Sequence, residues 1–233
     1  MSAPGRARMR AVIALILIVL LVALGGMGWR QAQHWAPART EYPMQGVALS
    51  ATQGVIEWGS LAVHNPDFVY IRAVMGRQGR DARFATNLAG AQTSGIRYGA
   101  EILFDPCGRA SDQATVFLTT VPRDAAALPP AIRLDGAPTC TPAPGADKVV
   151  SELNTLINLV EAHMGKPAVL HVSAEAEALY AISARFNRTL WLDRAFLKPD
   201  YASHPWVMWS ANSARRLKGI ETPVEWVVVA PSA

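Results

Sequence analysis

The chain has 233 residues, 51% of them hydrophobic and 17% charged, which suits one domain of up to about 200 residues with an appendage and excludes a disordered chain. Two cysteines exclude a disulfide-dense miniprotein and a zinc site built from four thiolates. The formal net charge of +4 comes from four arginines within residues 1–30; the rest carries 18 basic against 18 acidic residues, so composition gives no support to a nucleic-acid partner.

Arg6, Arg8 and Arg10 precede a 19-residue run without charge, Ala11 to Trp29, that includes AVIALILIVLLVAL. As a helix this run spans about 28 Å, close to the thickness of a hydrocarbon core. The arginines favour a cytoplasmic N-terminus, residues 1–10, with the body across the membrane. Residues 11–29 therefore read as a transmembrane signal-anchor, and the expected location is the inner membrane, single-pass, with the body in the periplasm or another extracytoplasmic space. A cleaved signal peptide is the rival reading, because Ala23-Leu24-Gly25 is a small-x-small site. Residues 30–42 are mostly polar, contain Pro37 and read as a linker to a domain over 43–230.

In that domain short apolar runs alternate with helical patterns. The expected strands are Val47–Leu49, Phe68–Ala73, Tyr98–Phe104, Ala131–Leu134, Ala168–Val172, Thr189–Leu192, Trp206–Trp209 and Val224–Val229, with helices between the first six. The clearest helix is Asp147–Met164: Val149, Leu153, Leu156, Ile157, Val160 and Met164 share one face, and Gly165 and Pro167 stop it. Another follows Ser173, a suitable N-cap with Glu175 and Glu177 in the first turn. Alternating strands and helices indicate a parallel sheet, and eight strands suggest closure. The last three strands lie too close together for full crossover helices. The expected fold is α/β: a shortened TIM-like barrel of about five βα units plus three strands, with an open doubly wound sheet as the alternative. No G-x-G-x-x-G or P-loop pattern supports a nucleotide.

Cys107 and Cys140 follow the third and fourth strands. Loops from neighbouring parallel strands leave the same rim, so a bridge is geometrically possible, and an extracytoplasmic compartment permits it. Two buried thiols remain the alternative.

The segment YPMQGVALSATQGVIEW resembles the G-[IV]-D-V-S-x-x-Q-G-x-I-D-W opening of the family-25 glycoside hydrolases, the Chalaropsis-type lysozymes. FVYIRAVMG resembles F-x-[YF]-I-K-A-T-E-G. DARFATNLAGAQTSGIRYGAEILF resembles the segment ending G-A-Y-H-F, and ALPPAIRLD resembles L-P-P-V-L-D-L-E. Trp206–Trp209 and Gly219 through Glu225 resemble P-W-x-W-Q and the closing G-I-x-x-x-V-D. The likeness runs from Pro43 to about Val229. It implies a flattened barrel of five βα units plus three strands, and N-acetylmuramidase activity on the β-1,4 bonds of peptidoglycan, with no cofactor and no metal.

The departures fall on the chemistry. The resemblance aligns Ala48 with the Asp of D-V-S and Arg133 and Asp135 with the Asp and Glu of D-L-E. Glu225 aligns with the C-terminal Asp, Met75 with the Glu of A-T-E-G, and Glu101 and Ile102 with the Tyr and His of A-Y-H-F. Glycoside hydrolysis generally needs two carboxyl groups, one of them protonated to assist the leaving oxygen. Arg133 and Asp135 are i and i+2 on a strand and leave the same face. A permanent cation there stabilises an ionised neighbour, whereas a general acid must hold its proton. Asp is also shorter than Glu by about 1 Å, a misplacement that can cost about a hundredfold.

Asp135 and Glu225 are thus the catalytic pair expected by position, in an impaired form. Ser50, Glu101, Arg133 and Trp209 are the expected substrate-binding residues, Glu101 having an exposed rim position as its alternative. Ala48, Met75 and Ile102 are substituted family positions, and Met75 and Ile102 are expected to make the cleft floor apolar. Trp58 and Trp226 fit packing better than sugar stacking. Five histidines without H-E-x-x-H spacing give no metal motif, and Ser50 and Ser210 lack a G-x-S-x-G context. The expected function is a membrane-anchored relative with little or no hydrolysis, binding peptidoglycan glycan or an envelope protein. An active muramidase using Asp135 and Glu225, and an interaction subunit using the barrel exterior, are the alternatives.

Overall fold

The computed structural model describes residues 3–231, with side chains described from Met9 onward. The side chains of Arg6 and Arg8, part of the expected cytoplasmic segment, lie outside the described residues. The chain divides into two compact units, Met1–Trp35 and Ala36–Ala233. The first is a single helix, α1 (Ala3–Ala32). Its stretch Met9–Ala32 is long and apolar enough to cross a membrane, and none of the residues in its apolar window is buried. A helix apolar on every face and unburied is not a core helix.

The second unit is a closed eight-stranded barrel. In chain order it runs β1 (Gln45–Leu49), α2 (Trp58–Val63), β2 (Phe68–Met75), α3 (Phe84–Thr93), β3 (Arg97–Leu103), α4 (Ala110–Thr120), β4 (Ala131–Leu134), α5 (Ala146–Met164), β5 (Val169–Val172), α6 (Ala174–Tyr180), α7 (Ile182–Arg185), β6 (Thr189–Asp193), β7 (Met208–Arg215) and β8 (Val224–Val229). Five strands are followed by helices and the last three are not, as expected from their spacing. β1 to β7 are parallel in sequence order; β8 runs antiparallel to both β7 and β1 and closes the barrel. Both faces of the sheet are covered, so the strands read as near-continuous apolar runs.

α5 buries the six residues expected from its periodicity and ends at Gly165, whose φ of 65° puts it in the left-handed conformation of a helix C-cap. Ser173 caps α6 by accepting from the Ala176 amide. Cys107 and Cys140 are bonded, with their Cα atoms 5.9 Å apart. One strand differs from expectation. Trp206 and Val207 precede β7, which continues instead to Arg215 through polar residues. Antiparallel pairing with β8, Asn212 with Trp226 and Arg215 with Val224, carries the strand past its apolar part.

The barrel interior is layered. Phe68, Tyr70, Ala131, Val169, Trp191, Met208 and Val227 form one buried apolar cluster with Ala48. Side chains on a strand return to the same face every second residue. Two residues further toward the strands' C-terminal rim, the interior positions are Arg72, Glu101, Arg133, His171, Asp193, Ser210 and, on the reversed strand, Glu225. An apolar plug thus carries a charged layer directly above it.

Candidate active-site cleft

The charged layer forms one connected network. Arg72 Nε donates to Glu101 Oε2 at 2.6 Å, across the β2–β3 register pair. The other Glu101 oxygen lies 2.8 Å from His171 Nδ1. His171 Nε2 lies 2.6 Å from Asp193 Oδ1 and 3.3 Å from Glu225 Oε1. Arg133 spreads over three carboxylates: Nε to Asp135 Oδ1 at 2.7 Å, Nη1 to Glu225 Oε2 at 2.8 Å and Nη2 to Asp193 Oδ2 at 3.2 Å. Ser210 donates to Glu225 and accepts from Trp191 Nε1 at 2.7 Å. Tyr201 accepts from the Asp193 amide and donates to the Val172 carbonyl, both at 2.8 Å, which steadies the end of β6.

Burial makes these charges depend on one another. Glu101 and His171 are almost wholly buried. Burial alone pulls the His171 pKa down, but the carboxylates of Asp193 and Glu225 outweigh burial and the opposing Arg133 charge and hold it at about 9. Its two ring nitrogens both face carboxylates, so both carry hydrogens at neutral pH. Burial pushes Glu101 up, yet Arg72, His171 and Arg133 bring it well below the usual carboxylate range. Asp193 follows the same pattern: burial raises it, and His171 and Arg133 take it down to about 2. Burial disfavours the Arg133 cation, but the carboxylates, Glu225 and Asp193 foremost, fix it more firmly still. These groups are ionised at neutral pH and already engaged with one another.

Above the network is an open cleft of about 270 Å³, lined by Ala48, Ser50, Met75, Glu101, Arg133, Asp135 and Glu225 among others. Seven of the nine positions singled out for substrate contact, catalysis or substitution therefore meet in one place. Met75 reaches it because the β2–β3 register shifts after Arg72, which turns Val74 outward and Met75 inward. Two expectations are corrected. Ile102 is fully buried on the opposite face of β3 from Glu101, against the helical layer, and does not line the cleft. Trp209 also points out of the barrel. It is 2% exposed, donates from Nε1 to the Arg194 carbonyl and meets the edges of Tyr42 and Trp206, so it is packing. Glu101 is not an exposed rim residue, because Arg72 and His171 draw it into the interior. Trp226 is buried and donates to Gln45 Oε1 at 2.7 Å.

Arg72, His171, Asp193 and Tyr201 were not singled out from the sequence. The first three carry a simple signal: each lies two residues beyond an interior apolar position on an expected strand, or just past its end. His171, Asp193 and Glu225 bring ligand-type atoms within 4.8 Å of one another, a spacing that a metal ion could use. The Arg133 guanidinium already bridges Asp193 and Glu225, and the His171 nitrogens carry hydrogens, so a metal ion would have to displace Arg133 and replace a proton of His171.

The model of the glycosyl hydrolases family 25 matches residues 47–220. The chain belongs to this family. A family 25 glycosyl hydrolase from Bacillus anthracis superposes with a TM-score of 0.77 at 28% identity, covering 86% of this chain and 94% of that one. A bacterial lysozyme from Streptomyces coelicolor shares the fold at a TM-score of 0.70 and 22% identity, covering 82% and 93%. In sequence this family 25 chain is 24% identical over 213 residues to the Escherichia coli K12 protein named "Uncharacterized protein YegX", covering 86% of this chain and 75% of that protein. It is likewise 24% identical over 201 residues to Lysozyme M1 of Streptomyces globisporus, covering 78% and 66%. In this family 25 barrel the cleft opens at the C-terminal ends of the parallel strands, the face on which barrel enzymes build their sites.

Proposed function

We propose that this is a membrane-anchored, extracytoplasmic family 25 protein that binds peptidoglycan glycan as a recognition or scaffold module and hydrolyses it poorly or not at all. Residues 11–29 span the inner membrane as an uncleaved anchor, residues 30–42 link, and the barrel over 43–230 lies in the periplasm. One observation carries the reading: the Arg133 guanidinium sits at the centre of the cleft and ties down Asp135, Asp193 and Glu225 together. Cleavage of a glycosidic bond needs a carboxyl group that can give a proton to the leaving oxygen. Glu101 and Asp193 are ionised at neutral pH. His171 holds protons but is wholly buried, with both nitrogens directed at carboxylates. By the family resemblance Arg133 and Ala48 stand where acids are expected, and Ala48 supplies neither charge nor proton.

A second reading is an active muramidase of low rate. It is favoured by the half-exposed Asp135 and by Glu225 lining the same cleft. The deciding experiment incubates the purified protein with sacculi, measures retention and analyses released muropeptides by mass. Retention without released fragments is expected. Robust release of muropeptides that Asp135→Ala abolishes would overturn the proposal in favour of the second reading.

A further inference from the structure

The segment that leads from the apolar helix into the barrel is not a loose tether. Its second half, residues 37–42, is fastened beside the start of β1, at the end of the barrel opposite the cleft. The buried Gln45 amide donates to the Pro37 and Tyr42 carbonyls, both at 2.9 Å. Arg39 pairs with Asp67 at 2.7 Å and donates to the Asn65 carbonyl, just ahead of β2. Tyr42 is buried against Trp209, and Lys198 lies over the Tyr42 ring while it pairs with Glu41. Residues 33–36 alone separate this fastened segment from the end of α1 at Ala32, a reach of at most about 18 Å.

The same end of the barrel exposes apolar side chains. Val229 and Ala230, at the end of β8, donate in turn to the Met44 and Val207 carbonyls, so Met44 and Val207 flank that strand end. They are 40% and 42% exposed, and Leu197, next to Lys198, is 60% exposed. Pro43, Pro205 and Pro231 are exposed beside them in the chain or at the same strand ends. Among the charges at this end, Asp67 and Glu161 are paired with Arg39 and Arg188, whereas Arg97, exposed at the start of β3, has no ion pair among the described residues. Scattered exposed apolar residues are ordinary; these stand beside the point where the chain arrives from its apolar helix.

We propose that this end of the barrel, with Met44, Leu197 and Val207 foremost, docks on the headgroup layer of the membrane that holds α1, so that the cleft opens away from the bilayer. This rests on the reading of residues 11–29 as an uncleaved anchor and adds an orientation that an anchor alone does not impose. Apolar side chains gain by entering the boundary between headgroups and acyl chains, and arginines beside them gain from anionic lipid. The fastened segment and the short reach behind it keep this end close to the surface, where a weak affinity suffices. Ser50, at the cleft, is then carried about 20 Å above Met44, so the barrel addresses glycan at a set height over the membrane.

The test uses the full chain in nanodiscs of phosphatidylethanolamine and phosphatidylglycerol. A fluorophore is attached at Val207→Cys or at Thr52→Cys, on the cleft rim, the two native cysteines being bonded to each other. Quenching by lipids that carry a nitroxide on the headgroup should be several-fold stronger at position 207 than at 52. Adding Met44→Glu and Leu197→Glu should reduce that margin, because carboxylates are repelled by anionic headgroups. Equal quenching at the two positions, or more at 52, overturns the docking and leaves the anchor intact. So does a label at 207 that is shielded from aqueous iodide yet unquenched by the lipid, the mark of a second copy on this face. Release of the native chain from vesicles by alkaline carbonate overturns the anchor reading and the docking with it. If the glutamate variant does not fold, the comparison of positions 207 and 52 still decides.

Discussion

The His171 imidazole lies flat on the Trp191 indole, ring centroids 3.9 Å apart and planes 4° from parallel. The stack joins the two interior layers: Trp191 belongs to the apolar plug, and His171 is the first charge above it. An imidazolium over an indole face gains cation–π attraction while its ring edge remains available to carboxylates. Trp191 also holds Ser210, which holds Glu225, so the plug positions both His171 and Glu225.

A pH dependence of stability follows. His171 rises from 6.5 to about 9 on folding, so its contribution is complete below about pH 6.5 and lost as pH climbs through 9. The shift corresponds to stabilisation on the order of 3 kcal/mol. Asp193 and Glu101 move the other way, so their contribution is present above about pH 4.5 and lost as pH falls through their folded values, about 2 for Asp193. Urea midpoints should be highest between about pH 5 and 6.5 and fall by pH 10. His171→Gln should flatten the alkaline limb; an unchanged limb in that variant would refute the assignment.

Arg133 and Asp135 should respond unequally to substitution although they bond each other. Arg133 is largely buried and faces three carboxylates, so Arg133→Met leaves Asp193 and Glu225 with His171 as a shared cation in place of two and should cost about 3–5 kcal/mol. Asp135 is half exposed, and Asp135→Asn should cost less than about 1 kcal/mol. Chemical denaturation of the two variants checks the ranking.

Joining Cys107 to Cys140 closes a loop between the rims of β3 and β4. Replacing both by serine should lower stability by about 3–4 kcal/mol through the unfolded chain. The same loss should appear when the native protein is unfolded under reductant.

Gly90→Ala should destabilise, against the usual gain for such a change within a helix. A Cβ at Gly90 would fall 2.0 Å from Trp58 Nε1, so the indole seated on α3 would have to move. Overpacking of this kind costs about 1–3 kcal/mol. A thermal melt should show the drop, and Trp58→Phe should relieve part of it.

Much of this protein was legible in its sequence because the signals are local. The uncharged run at the N-terminus, the one-faced apolar periodicity of α5, the apolar strand runs and the shortening gaps between the last strands each depend on neighbouring residues. Together they indicate a membrane-length helix and a barrel of five βα units plus three strands. The family motifs brought Asp135, Glu225, Ala48 and Met75 to one cleft in advance. Tertiary structure decided the rest. Only barrel closure brings Arg133 on β4 beside Glu225 on β8, and only the register of adjacent strands sets His171 between Glu101 and Asp193. Trp209 and Ile102 resembled site residues in sequence, and strand alternation turned both outward. Ionisation in the cleft is set by burial and by partners far apart in the chain, because the field at each buried group is the sum over neighbours that folding assembles.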